Sequence, residues 1–186
     1  NSGDAPLGLG IREKNDIYGA IRYLNTNHNV DKVGLYGISY GAVAVIDAAI
    51  NHNNEKVNIV GVFADTPYFS VTELLTKEVS DRTPIPHFIS KLLKFGIIQS
   101  GELFQNMNIE DVEISMKNIN KIEYPLIIIS CKNDERVPIS HPERVYSYAN
   151  NSKYVPFDYC EDHGEAFETN KEEFIKEFKN YFKNKF

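Results

Sequence analysis

Apolar residues along the chain fall into short uninterrupted runs and longer stretches at helical spacing. Ile17, Ile21 and Leu24 recur at that spacing behind the polar turn Arg12-Glu13-Lys14-Asn15, which predicts an amphipathic helix over about Ile11 to Asn25. Val33-Gly34-Leu35-Tyr36 fits a short buried strand, and the Ala-rich stretch Ala42 to Ile50 is long enough for a buried helix. Val57 to Phe63 is a second strand, closed by Asp65-Thr66-Pro67, and Tyr124-Pro125 introduces a third, Leu126-Ile127-Ile128-Ile129. Pro142 suits the first turn of a helix running to about Ala149. Tyr154 to Phe157 reads as a fourth, short strand, where Pro156 asks for an edge or a strand end. Lys171 to Lys185 closes the chain as a helix with Phe174, Phe178 and Tyr181 on one face. Strands alternating with helices imply an α/β fold, a mostly parallel sheet with helices on both faces.

From about Pro67 to Asn120 the alternation lapses. Ser70-Val71-Thr72-Glu73 is a capping-box signature for a helix reaching roughly Val79. Thr83-Pro84-Ile85-Pro86 breaks it, and His87 to Phe95 reads as another short helix. Residues 67–120 are therefore expected to be a helical, cap-like insertion after the second strand, within a single domain over 1–186. A chain of 186 residues, 42% of them hydrophobic, suffices for one sizeable core and not for two. Its 20 Lys and Arg against 26 Asp and Glu give a formal net charge of −6 without a basic stretch, which argues against nucleic acid as a partner. No apolar run approaches the roughly 20 residues of a transmembrane helix. Cys131 and Cys160 are too few for a disulfide framework. Lying close in sequence to Asp134 and His163 they could approach each other, but buried free thiols and a reducing compartment, the cytoplasm, are the expectation.

The segment with the most chemical content is Gly37-Ile38-Ser39-Tyr40-Gly41, lying between an apolar strand and an Ala-rich helix. A serine on a sharp strand-to-helix turn needs small residues two positions away on each side, here Gly37 and Gly41, to avoid the neighbouring strand and helix. The turn exposes the serine Oγ at the C-terminal edge of the sheet. It aims the backbone N–H of Tyr40, and the positive end of the helix, at the point where an oxyanion would develop. Serine is a weak nucleophile near neutral pH unless a base takes its proton, so a histidine and a carboxylate are sought downstream. Asp134 follows the third strand, in Cys131-Lys132-Asn133-Asp134-Glu135-Arg136-Val137-Pro138, and His163 follows the fourth, in Glu161-Asp162-His163-Gly164. Both loops belong to the same sheet edge as Ser39.

With these three segments in hand, the chain resembles the α/β-hydrolase serine esterases, in the prolyl-oligopeptidase-like and dienelactone-hydrolase-like branch. The resemblance runs over nearly the whole chain and rests on the elbow at Ser39, the Asp-x-x-Val-Pro acid loop at Asp134 to Pro138, and His163-Gly164. It implies Ser39 as nucleophile, His163 as general base and acid, and Asp134 as the group that orients the imidazole. It implies an acyl-enzyme formed from an ester, thioester, lactone or peptide, with no metal or organic cofactor. A carboxylic-ester hydrolase is the leading expectation. A peptidase or acyltransferase on the same residues is the alternative, as is a non-catalytic, degenerate domain. In that family an early loop supplies a second oxyanion N–H, and several strands precede the elbow strand. No such loop precedes Ser39 here, so the chain is expected to be the C-terminal part of the fold and to need the N-terminal part as its partner.

Other residues compete for these roles. Asp65 follows the second strand, where some relatives of the fold carry their acid, although a capping role toward Thr66-Pro67 is the simpler expectation. His28 and His52 lie in Asn-rich helix ends and read as solvated, while His87 and His141 neighbour prolines and read as loop or capping residues. No metal-ligand spacing of His and Cys occurs. Tyr68 and Phe69, with Val137, are the candidates for an acyl pocket, followed by Leu92 and Phe95 of the insertion.

Overall fold

The computed structural model describes residues 8–52, 57–82, 96, 98–99, 108–183 and 185–186. The expected break at Thr83 to Pro86, the helix from His87 to Phe95 and the pocket candidates Leu92 and Phe95 lie outside the described residues.

Helix α1 covers Lys14–His28. Just ahead of it the Glu13 side chain accepts the N–H groups of Gly8 (2.7 Å) and Gly10 (2.9 Å), fixing the turn that leads into the helix. Asn29 ends it in the left-handed conformation (φ 53°), returning its N–H to Asn25. Strand β1, Lys32–Ile38, leads into α2, Tyr40–Ile50, where every residue from Ala42 to Ala49 is buried. The apolar run that predicted a buried helix is thus buried all round. Strand β2 is Asn58–Asp65 and α3 is Val71–Arg82. Helix α4, Asp111–Lys117, and a 3₁₀ turn, Ile119–Lys121, bring the chain to β3, Leu126–Cys131. Helix α5, Ser140–Tyr148, connects to β4, Ser152–Phe157, and the short α6, Ala166–Thr169, precedes α7, Lys171–Phe182.

The strands form one four-stranded parallel sheet in the order β1-β2-β3-β4. Parallel pairing needs a crossover between neighbours, which is why helices alternate with strands and both faces are covered. One face packs against α2, α4 and α5 through Val43, Ile46, Val62, Phe69, Met116 and Ile128. The other is closed by α7, whose Phe174, Phe178 and Tyr181 meet Phe63, Ile127 and Ile129 as the aromatic periodicity predicts. Two glycines let that helix approach the sheet. A Cβ at Gly34 would lie 2.4 Å from the Phe182 ring, and one at Gly61 would lie 2.6 Å from the Tyr181 hydroxyl. That hydroxyl accepts the Val62 N–H (2.8 Å) and donates to the Pro125 carbonyl.

Two histidine expectations change. His141 is 4% exposed within α5, and its Nδ1 accepts the Phe69 N–H (3.2 Å) because the start of α3 packs on this helix. Its burial lowers its pKa, favouring the neutral ring. His52 is half-buried rather than solvated, with Nε2 at 2.9 Å from the Val57 carbonyl.

Candidate active site

Ser39, Asp134 and His163 come together at the C-terminal edge of the sheet, each from the end of a different strand. Ser39 has φ 56° and ψ −119°, a conformation that L-residues rarely adopt. It is held there from both sides. Its N–H donates to the Asp65 carbonyl (2.8 Å), continuing the β1–β2 ladder, and its own carbonyl accepts the Ala42 (3.0 Å) and Val43 (3.2 Å) N–H groups that begin α2. Strain of this kind persists where surrounding bonds over-determine it. Gly37 is required sterically, since a Cβ there would sit 2.2 Å from the Gly41 carbonyl oxygen. Gly41 differs from the expectation: among the described residues a Cβ there meets nothing within 4 Å. The crowding is therefore one-sided, at the strand and not in the helix.

Asp134 is fixed through both carboxylate oxygens. Oδ1 accepts the N–H groups of Arg136 (3.0 Å) and Val137 (2.8 Å), and Oδ2 lies 2.7 Å from His163 Nδ1. The Asp-x-x-Val spacing thus closes a turn on its own carboxylate. The side chain is 1% exposed, so the hydrogen bond to the imidazole is sheltered from water. His163 Nε2 lies 2.9 Å from Ser39 Oγ. Its backbone N–H donates to Asp162 Oδ1 (2.7 Å), and Gly164 follows with φ 82°, which explains a glycine directly after the histidine. Tyr40 is the first residue of α2, so its N–H has no acceptor within the helix.

Asp65 does not take the acid position. It is fully buried, its Oδ1 accepts the Thr66 hydroxyl (3.0 Å), and its Oδ2 has no partner among the described residues. Desolvation pushes this carboxyl up to about 7. The pocket expectation is also corrected. Tyr68 (5% exposed), Phe69 (0%) and Val137 (2%) belong to the core. The Tyr68 hydroxyl donates to the Leu9 carbonyl, and Phe69 is covered by the Arg144 guanidinium, 4.1 Å from its ring centre. Large apolar side chains directly after a central strand gain more from the helical layer than from a solvent-facing wall. The cavity beside His163, about 590 Å³, is instead polar, with Lys77, Asp81, Glu135, Arg136 and Glu161 among its lining residues.

The cysteines are corrected most plainly. Cys131 and Cys160 form a disulfide, with Cα atoms 5.8 Å apart, and no free cysteine remains. The parallel register pairs Cys131 with Phe157, and the loop after β4 then folds Cys160 back over the end of β3. Sequence spacing carries no trace of that register. The cysteine argument for a reducing compartment falls with it. Among the described residues no group of His, Cys, Asp and Glu has the arrangement of a metal site, and no helix is long and apolar enough to cross a membrane.

A parallel sheet with a strained serine at a strand-to-helix elbow, and an acid and a histidine on the loops after later strands, is the architecture of an α/β-hydrolase. Within that class the chain belongs to the BAAT / acyl-CoA thioester hydrolase C-terminal family, whose model matches residues 18–147. A curated relative, the uncharacterized protein YqkD of Bacillus subtilis, is 24% identical over 98% of this chain and 58% of its own length. The Pyrococcus furiosus esterase Pf2001 superposes with a TM-score of 0.70 at 17% identity, over 98% of this chain and 66% of that one. A lipase-esterase related protein from Clostridium acetobutylicum gives 0.66 at 15% identity, over 97% and 78%. The chain therefore spans somewhat under two thirds of the curated relative and about two thirds of the Pyrococcus esterase.

Proposed function

We propose that this chain carries the catalytic residues of a serine hydrolase that cleaves carboxylic esters through an acyl-enzyme, with no metal or organic cofactor. The observation that supports it best is the continuous relay from Ser39 Oγ through His163 to Asp134, at 2.9 and 2.7 Å. In this reading Ser39 Oγ attacks the substrate carbonyl carbon as its proton passes to His163 Nε2. Asp134 holds the Nδ1–H and stabilises the imidazolium. The oxyanion is met by the Tyr40 N–H. Collapse expels the alcohol, which takes the proton from Nε2, and a water activated by the same nitrogen releases the acid.

Oxyanion holes of this kind use two N–H donors, and loss of one costs about 10²–10³ in rate. Among the described residues β1 has a neighbouring strand on one side only. We take the second donor from polypeptide that pairs along that free edge, the N-terminal part of the same fold. The partner is a small ester, and neither nucleic acid nor a membrane segment enters the scheme.

A fluorophosphonate probe should label the protein on Ser39, and Ser39→Ala should abolish labelling. Undiminished labelling of the alanine variant would remove the assignment. A panel of p-nitrophenyl esters, acyl thioesters and aminoacyl substrates then separates ester hydrolysis from thioester or peptide cleavage. Thioesters belong in it because of the family description. Probe labelling without turnover of any substrate would favour a non-catalytic domain.

A further inference from the structure

The loops bearing Asp134 and His163 are fastened to each other at a point that neither residue occupies. The last rung of the β3–β4 ladder beyond the strands is the Lys132 N–H donating to the Phe157 carbonyl (2.9 Å). Past it, two further connections converge on Cys160. One is the disulfide to Cys131. The other is the side-chain amide of Asn133, which engages the main chain of Cys160 twice. Asn133 Nδ2 donates to the Cys160 carbonyl (2.7 Å), and the Cys160 N–H donates to Asn133 Oδ1 (2.8 Å). The amide acts as one more rung of sheet, made by a side chain where the backbone has already turned away. Asn133 directly precedes Asp134, and Cys160 stands three residues before His163.

The two connections constrain different things. The disulfide limits how far Cys160 can move from the end of β3. By itself it does not fix the rotation of the Cys160 peptides, which aims the chain toward His163. The paired hydrogen bonds of Asn133 set that rotation from the β3 side, while Asn170 Nδ2 on the Tyr159 carbonyl (2.9 Å) and Thr169 Oγ1 on the Glu161 N–H (3.1 Å) hold the same peptides from the α6–α7 side. We propose that Asn133 is a positioning residue for the Asp134–His163 pair, and that the Cys131–Cys160 bond is the part of the same clasp that a dithiol can open. Opening transfers two electrons and two protons. The S–S bond breaks, both sulfurs become thiols, and the dithiol leaves as its own disulfide. With the bond opened, Asn133 keeps the two loops in register together with the exposed Lys132–Asp158 ion pair (2.5 Å); with the disulfide and Asn133 both gone, only that exposed pair and the Lys132–Phe157 rung remain, and the Asp134–His163 pair separates. A catalytic group displaced by about 1 Å loses about 10²-fold in rate. The function of the clasp rests on the serine-hydrolase reading, and its geometry does not.

The test uses the whole chain, with thiols counted by a chromogenic disulfide before and after dithiol treatment. Four forms are compared: the parent and Asn133→Ala, each oxidised and reduced. Fluorophosphonate labelling of the parent should slow by less than about 3-fold on reduction. Oxidised Asn133→Ala should be about 10-fold slower than the parent, and the reduced variant about 100-fold slower, a non-additive loss. A structural role alone would lower the melting midpoint while leaving the labelling rate of folded protein and its pH profile unchanged, and that outcome overturns the proposal. The second readout is the downfield proton resonance of the His163 Nδ1–H bonded to Asp134. It should survive reduction in the parent and vanish in reduced Asn133→Ala; its persistence there also overturns the proposal. Because that resonance needs no reaction at Ser39, a parent that resists labelling counts against the hydrolase reading only, and the clasp is still decided.

Discussion

Replacing Asp65 by Asn should change how stability depends on pH more than it changes stability itself. The carboxyl is fully buried at the end of β2, with one oxygen on the Thr66 hydroxyl and the other unpartnered among the described residues. Burial raises it from 3.8 to about 7. The Thr66 hydroxyl and His163 pull it down, Asp134 and Glu168 push it up, and the Tyr36 phenol also faces it. The folded protein therefore keeps a proton that the unfolded chain has already lost. The stability from this group is whole below the unfolded value of 3.8, declines as pH rises toward about 7, and is flat above that. A difference of about 3 in pKa corresponds to about 4 kcal/mol. Asparagine stands in for the neutral acid: it keeps an acceptor for Thr66 and cannot ionise. Urea denaturation of parent and Asp65→Asn between about pH 4.5 and about pH 8.5 should show the variant gaining about 3 kcal/mol on the parent, levelling off above about pH 7. Titrating groups that do not face Asp65 are common to both proteins and cancel in the difference, leaving Asp65 and its coupling to His163, Asp134, Glu168 and Tyr36. A difference that stays constant across that range would refute the reasoning, since it would mean that folding does not hold this carboxyl neutral.

The other expectations are more local. Asp134→Asn should keep the fold but lower esterase turnover or probe labelling by about 10⁴-fold, because the amide reverses the polarity that fixes the imidazole tautomer. Gly37→Ala and Gly41→Ala should part company. The first meets the Gly41 carbonyl at 2.2 Å and should lose soluble, cooperatively melting protein. The second enters open space in α2 and should melt no lower than the parent, with a gain of up to about 1 kcal/mol from helix propensity. His141→Ala leaves the Phe69 N–H buried without its acceptor and should cost about 1–3 kcal/mol by chemical denaturation. Because burial lowers the pKa of His141, its neutral form contributes stability above the ordinary 6.5 that is lost as pH falls through the lowered value. The alanine variant should therefore lose less stability than the parent on acidification.

Much of the sheet is legible in the sequence because its signals are local. Leu126 to Ile129 is apolar without interruption because β3 is covered on both faces, and the helical spacing of Phe174 and Phe178 marks the face that α7 turns to the sheet. The order of Ser39, Asp134 and His163 follows from the same alternation, each residue standing just beyond a strand. What escaped depends on register. Nothing in the spacing of Cys131 and Cys160 says that β3 and β4 end side by side, and Asn133 reads as an ordinary turn residue until its partner across that register is known. Tyr68 and Phe69 misled for another reason. Their place after β2, at the head of the insertion, suggested a wall of the site, but the start of α3 folds them under α5 and the Leu9 loop. Gly34 and Gly61 lie inside the strands read from the sequence, and each is the hollow that receives a ring of α7.

That last contact bears on the order in which the protein can be made. Tyr181 reaches back 119 positions to the N–H of Val62. Until α7 has left the ribosome, Phe63 and its neighbours face water on one side of the sheet, however well the earlier strands have paired. Contacts this distant in sequence slow folding, and exposed apolar faces invite association while they wait. A nascent chain halted before Lys171 should therefore be a chaperone substrate, and the docking of α7 acts as the step that releases it.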